Sequence, residues 1–369
     1  PKAQRAPGIR TDTTTTGGVN PQTFILGRTA TAGNMVCPPY STPNSGDVPN
    51  RYLHYVVDVS DLPGVEMSRV MVAGEYVADL EPAPGLNTWR GMLRDGAHHF
   101  YVNWHNGSQT AADPIMMAEY AGHPERPWSE DMVGAGVSYA VLTFLYNRAL
   151  FNQLPAVRFE VLGIPLYDPR LDASVGGSGA HRWADPSTWE FTENPVVMIY
   201  NILRGITLPD GSIWGGRVQR EDLPLSNWFA AMNECDAPVQ TAEGQSVAQY
   251  RAGLEISTDD QPADVIDQLK NAASAELVEF GGVYKVRVGP PALPVYFFTD
   301  EDIVADRSQT LTPFPGLDGV HNAIHASYPD PSALWEVRDA PPRYNAQWES
   351  EDGGRQLVAQ VDLPAVNSG

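Results

Sequence analysis

The stretch Val137-Ser-Tyr-Ala-Val-Leu-Thr-Phe-Leu-Tyr-Asn-Arg-Ala-Leu-Phe-Asn-Gln-Leu-Pro-Ala-Val-Arg-Phe-Glu-Val-Leu-Gly-Ile-Pro-Leu-Tyr-Asp-Pro-Arg170 decides the fold class. Between Gly134 and Asn147 the apolar residues are nearly continuous, a pattern that fits a buried helix or a buried strand. Val137, Tyr139, Val141, Thr143 and Leu145 fall at period two and three of them are β-branched, which favours a strand buried on both faces. After a short connection its expected partner strand, Ala156 to Leu162, sets Val157, Phe159 and Val161 against Arg158 and Glu160. One apolar and one wet face are expected there.

Outward from this block toward the N-terminus, the same strand signals recur. Leu53 to Val59 is rich in β-branched and aromatic residues, and Arg69 to Val72 and Tyr76 to Leu80 flank a hairpin turn at Ala73-Gly74-Glu75. His98 to Trp104 ends at Asn106-Gly107, a pair suited to positive φ. Phe24 to Val36 reads as two short extended pieces broken at Gly27 and Gly33. Residues 1–23 are rich in Thr, Gly, Pro and Gln and bury almost nothing apolar, so they are expected to form an arm or linker.

Toward the C-terminus the period changes. A Gly-Gly-Ser-Gly loop within Gly176 to Ala184 marks a boundary, and Asn194-Pro195 opens a helix with Val196, Val197, Ile199, Tyr200 and Leu203 on its buried side. A second helix is expected from a Ser226 cap to Cys235, and a third from Pro262 to Ala275. The third leads into a hairpin, Leu277 to Phe280 and Val283 to Val288, turning at Gly281-Gly282. Short strands follow at Val295 to Phe298, Asn322 to Tyr328 and Gln356 to Val361.

The expected class is mainly β with α+β parts, in several small domains that include β-barrels. The divisions are an arm at 1–23, a β-rich part at 24–175, an α+β part at 176–300 and a β-rich part at 301–369. With 369 residues, two or three domains of about 100 to 200 residues fit. The chain opens at Pro1 without Met and stops in Val-Asn-Ser-Gly, so it is expected to be a piece of something longer.

Acidic residues number 45 and basic residues 24, giving a net charge of −21 without any basic run. Attractive binding to nucleic acid is therefore not expected. Acidic groups lining a tube would instead repel passing DNA over about a Debye length of 8 Å. The two cysteines, Cys37 and Cys235, support neither a disulfide framework nor a zinc site and read as ordinary buried thiols.

No catalytic constellation of comparable specificity occurs elsewhere in the sequence. Ser138, in Gly136-Val-Ser-Tyr-Ala140, lacks the second glycine of a nucleophile elbow and falls inside a strand. His98 and His99 are adjacent, so a strand points them to opposite faces; with His105 and His123 they read as loop or surface histidines. Asp300-Glu301-Asp302 with Asp306 lacks calcium-loop spacing and reads as a helix N-terminus. A glycosidase pair among 45 acidic residues is open to geometry alone. The tryptophans, among them Trp89, Trp104, Trp128, Trp183, Trp189 and Trp214, read as core or interface rather than a sugar platform. No catalytic, cofactor-binding or metal-ligating residue and no cofactor is expected.

An ordered series of motifs resembles the central tail hub family, the tip attachment protein J of lambda-like phages and the hub of gene transfer agents. It runs through Gly27-Arg28, Tyr52-Leu-His-Tyr-Val-Val with Val70-Met-Val-Ala-Gly-Glu, Trp128, and the Gly134 to Arg170 block. It continues with Trp189, Asn194-Pro195, Ala231 to Asp236, Arg251-Ala-Gly-Leu-Glu-Ile, Gly281-Gly-Val-Tyr-Lys-Val-Arg-Val-Gly and Asn322-Ala-Ile-His-Ala-Ser-Tyr-Pro-Asp-Pro. The resemblance implies a non-enzymatic homotrimer at the tip of a virion tail, made in a bacterial host. Its implied partners are the distal tail protein and other tip proteins, tape measure protein in the lumen, DNA in passage, and the host envelope through other parts. The rival expectations are a tail-associated cell-wall glycosidase and a host-carbohydrate-binding module.

Overall fold

The computed structural model of the chain describes residues 15–16, 21–42, 51–83, 88–151, 155–240, 244–290, 293–294, 296–302 and 319–367. Most of the expected arm, Val295 and Asp306 lie outside the described residues.

Seven strands come from the first half: β1 (Thr23–Thr31), β2 (Tyr52–Ser60), β3 (Glu66–Val72), β4 (Trp89–Arg94), β5 (Ala97–Asn106), β6 (Ser138–Leu145) and β7 (Val157–Leu162). One sheet has the order Thr15–Thr16, Asn34–Met35, β2, β6, β5, β4, Glu81–Pro82, with Tyr40–Thr42 also on β2. The other runs β8 (Gly253–Ser257), β1, β7, β3, Glu75–Tyr76. The class is mainly β as read, but both sheets are open paths, and no sheet closes into a barrel among the described residues. The free side of β8 is instead met by a C-terminal piece: Ala252 bridges Val366, and Gly253 N–H donates to Ala365.

The two strands of the Val137 to Arg170 block do not pair. β6 lies between β2 and β5, while β7 lies between β1 and β3 in the other sheet. β6 is buried throughout, as its sequence implies, because each face meets a different layer. Ala140, Leu142 and Phe144 enter the core shared by the two sheets. Tyr139 and Val141 pack beneath Met116 and Tyr120 of helix α1 (Pro114–Tyr120) and against Trp128. Asp113 starts that short helix by accepting the Ile115 and Met116 amides at 2.9 Å each.

Gly27 does not break β1 as expected. At φ 64° it kinks the strand, and a Cβ there would collide with the Ala252 backbone. Thr23 to Gly27 pair with β8 and Arg28 to Thr31 with β7, so the kink is where the strand changes partner.

The helical group is α2 (Pro195–Arg204), α3 (Leu225–Cys235) and α4 (Pro262–Ala272). Asn194 caps α2 through the Val196 and Val197 amides, at 3.0 and 3.2 Å. Pro195 to Leu203 are all buried, so α2 is a central helix rather than one with a single apolar stripe. Ser226 does not cap α3; the helix starts one residue earlier, after Pro224, without a side-chain cap. Strands β9 (Ala275–Phe280) and β10 (Val283–Val288) turn at Gly281 and Gly282, φ 61° and 85°. Trp228 fixes α3 to this hairpin by donating to Tyr284 O at 3.1 Å, and its ring meets Tyr200 edge-on at 5.5 Å.

In the last part β11 (Ala323–Asp330) pairs antiparallel with β12 (Glu336–Asp339) and parallel with β13 (Val358–Asp362). The expected strand at Val295 to Phe298 is not formed in its described residues: 296–298 are irregular, and their aromatic rings face outward.

Candidate functional site

Three polar constellations stand out, and the first corrects the reading of β7. Glu160 was expected on a wet face; its side chain is 0% exposed. Its Oε1 accepts Arg28 Nε at 2.9 Å and Nη2 at 2.5 Å, and its Oε2 accepts Arg69 Nη2 at 2.7 Å, Tyr76 OH at 2.6 Å and Trp335 Nε1 at 3.1 Å. Burial alone would raise the carboxyl, but the Arg69, Tyr76, Trp335 and Arg28 donors outweigh it and hold it at about 2. Trp335 arrives through two consecutive left-handed residues, Leu334 (φ 60°) and Trp335 (φ 64°), and packs on Ala30 and Met71. Arg158 Nη1 donates to Leu334 O at 3.2 Å, so both polar residues of β7 hold the C-terminal segment. This set is an anchor.

The second constellation surrounds the Tyr167-Asp168-Pro169-Arg170 turn. Arg170 pairs with Asp168 at 2.6 Å and with Asp236, at the end of α3, at 2.8 Å. Asp172 accepts Tyr167 OH at 2.7 Å and Arg182 Nη1 at 2.9 Å, closing the glycine loop back on the turn. Further bonds from Arg170 to Asn233 and from Ser174 to Asp172 complete the set, so the turn is a joint between the sheets and the helical group.

The third is a cleft of about 470 Å³ walled by Val36, Tyr40, Val56, Trp128, Met132 and Val137, with Asp58 and Asp61 also lining it. Both carboxylates stand at the end of β2, where the strand leaves the sheet. Burial, then the like charges of Asp61 and Glu255, push the Asp58 carboxyl up to about 7. Asp61 is also raised by burial, against the hydrogen bond its Oδ2 accepts from Thr23 N at 2.7 Å. Asp58 Oδ1 is buried without a hydrogen bond among the described residues.

That elevation has a testable sign. The folded value for Asp58 lies above its ordinary 3.8, so its contribution to stability is present in acid and is lost as pH rises through about 7. Asp58→Asn is therefore expected to melt above the wild type at pH 8 and to lose most of that advantage only by about pH 4, as pH falls to the ordinary value of 3.8. Melting curves at the two pH values check it, and parallel curves would mean that Asp58 is solvated.

The catalytic and metal-ligand candidates of the sequence are not gathered at any one site among the described residues. Ser138 Oγ is buried and donates to Leu62 O at 3.1 Å. His99 is buried with Nδ1 3.1 Å from Leu145 O, whereas His98 lies 3.6 Å from Glu81, so the two do diverge. His105 stacks on Tyr139 at 4.4 Å and contacts the helix-capping Asp113 at 2.8 Å; His123 Nδ1 accepts the Glu125 and Arg126 amides. Asp300–Asp302 is a single 3-10 turn rather than the start of an α-helix, with Asp302 accepting from Thr299 N and Tyr296 OH. Among the described residues no three His, Cys, Asp or Glu side chains come together as metal ligands. Cys37 and Cys235 are free thiols.

Of the tryptophans, Trp128 and Trp214 are buried, Trp104 donates to Val65 O, and Trp183 and Trp189 are tilted 33° to each other against Tyr167. Sequence reasoning missed Glu160, Asp58 and Asp61. The one available signal was the presence of acidic residues inside otherwise apolar strands.

No family model matches the chain, and no curated relative matches it. The whole chain does superpose on 74% of a chain in a solved structure described as the virion of a native gene transfer agent particle, with a TM-score of 0.54 and 14% identity. At that identity the likeness establishes a shared fold.

Proposed function

We propose that this chain is a structural hub of a phage-like tail tip, a virion component that joins the tail tube to the tip and encloses the channel for tape measure protein and DNA. The supporting observation is the fold likeness to a virion chain along the entire length. The exposed apolar surface agrees with it. Phe280, Leu293, Phe297 and Phe298 are each more than four-fifths exposed. Neighbouring subunits or tip proteins would cover such residues, and the net charge of −21 suits a lumen that must not retain DNA. A homotrimer with the distal tail protein as neighbour is the assembly this reading implies.

Sedimentation velocity of the full-length protein tests the proposal. Trimers or larger assemblies are expected, and Phe280→Ser with Phe297→Ser and Phe298→Ser is expected to shift the population strongly toward monomer at equal concentration. A compact monomer that the triple substitution leaves unchanged would end the hub reading. The rival that a specific observation favours is a tail-borne glycosidase, because the third cleft holds two carboxylates, both of them raised by burial. Against it, both carboxylates come from one strand end and Asp61 is already bonded to backbone, so neither is free to face the other across a sugar.

A further inference from the structure

The cleft at the end of β2 combines features that neither a metal site nor a sugar site requires. Its walls are aliphatic and aromatic, and its polar groups are gathered at Asp58 and Asp61. The charges acting on Asp58 are the negative ones of Asp61 and Glu255, while Arg126, the nearest cation to the walls, is stacked on Tyr40 at 4.3 Å and donates to Pro38 O and Pro39 O. Two buried polar atoms await partners there: Asp58 Oδ1, an acceptor, and Nε1 of Trp128, a donor on a side chain only 7% exposed. Buried polar groups are nearly always satisfied in a finished structure, and no described residue satisfies these two. A polypeptide brings all three requirements at once: a cation, a backbone carbonyl and an apolar body.

We propose that the Asp58–Asp61 cleft receives a Lys- or Arg-bearing, otherwise apolar segment of a neighbouring polypeptide, with its cation on the carboxylates and its apolar side chains against Val36, Val56, Trp128 and Met132. The inference adds a partner chemistry to the hub reading and rests on it only in taking the segment from an assembly neighbour. Docking exchanges a proton for a cation at Asp58. The titratable groups facing that exchange are Asp61 and Glu255, with Cys37, Tyr40 and Tyr139 on the surrounding walls.

Calorimetric titration of the full chain at pH 6 with N-acetyl-phenylalanyl-arginine amide tests this, with the neutral citrulline analogue as control. The arginine peptide is expected to bind about tenfold more tightly than the citrulline one. Its heat is expected to vary with the ionisation enthalpy of the buffer, as proton release requires, and Asp58→Asn is expected to abolish both differences. Equal binding of the two peptides, or no binding at millimolar concentration, would overturn the proposal; self-association that persists beside either result leaves the hub reading standing. Cleavage of chito-oligosaccharide by the wild type but not by Asp58→Asn would also overturn it, by assigning the cleft to hydrolysis.

Discussion

Glu160→Gln is expected to cost about 3 kcal/mol of folding stability at pH 7, at the lower edge of what removing one partner of a buried ionic set usually costs. The lower edge applies because Arg28 and Arg69 keep 30% and 45% of their side chains exposed and can partly rehydrate, whereas the carboxylate they share has no exposure at all. A neutral amide cannot balance two guanidinium groups. Because the folded carboxyl sits near 2, below its ordinary 4.5, the wild type loses this contribution as pH falls from about 4.5 through 2, and the two proteins converge in strong acid. Urea unfolding monitored from pH 7 down to pH 2 measures both parts. Trp335 depends on the same carboxylate, so proteolysis after Arg338 should quicken in the variant. Unchanged stability at pH 7 would mean that the anchor is ornamental.

Trp228→Ala is expected to cost about 3–5 kcal/mol, the range for deleting a large ring from a closed core. The ring is fully buried, meets Tyr200, and supplies the donor for Tyr284 O, so a cavity and an orphaned carbonyl appear together. Trp228→Phe keeps part of the volume and loses the donor, and about 1–2 kcal/mol is expected from it. Hydrogen exchange locates the effect: amides of β10 should lose protection before those of β6. Uniform loss across both would show that the helical group and the sheets unfold as one unit.

What the sequence disclosed and withheld follows from the range of the contacts involved. The period-two pattern of Tyr139, Val141 and Thr143, the cap at Asn194 and the glycines at 281 and 282 act within a few residues, and each is legible. Glu160 is opposite Phe159 by the same rule, yet the layer that buries it comes from Trp335, 175 residues later. Alternation states which residues share a face; it says nothing about what will cover that face. Asp58 escaped for the same reason, since its environment comes from Asp61, Glu255 and a wall at residues 128–139. The pairing of the two strands in the Val137 to Arg170 block was misread because neighbours in sequence are usually neighbours in a sheet. Here the chain leaves one sheet after Leu145 and enters the other at Val157.

The kink at Gly27 has a bearing on biosynthesis. Once β1 has left the ribosome, one stretch of it waits for β7 and the other for β8, whose Gly253 lies more than two hundred residues downstream. Translation at about 5–20 residues per second leaves that edge unpaired for ten seconds or longer. During that interval Phe24, Ile25 and Leu26 are sticky, and a holdase that shields emerging apolar strands should raise the soluble yield more than slowing synthesis does.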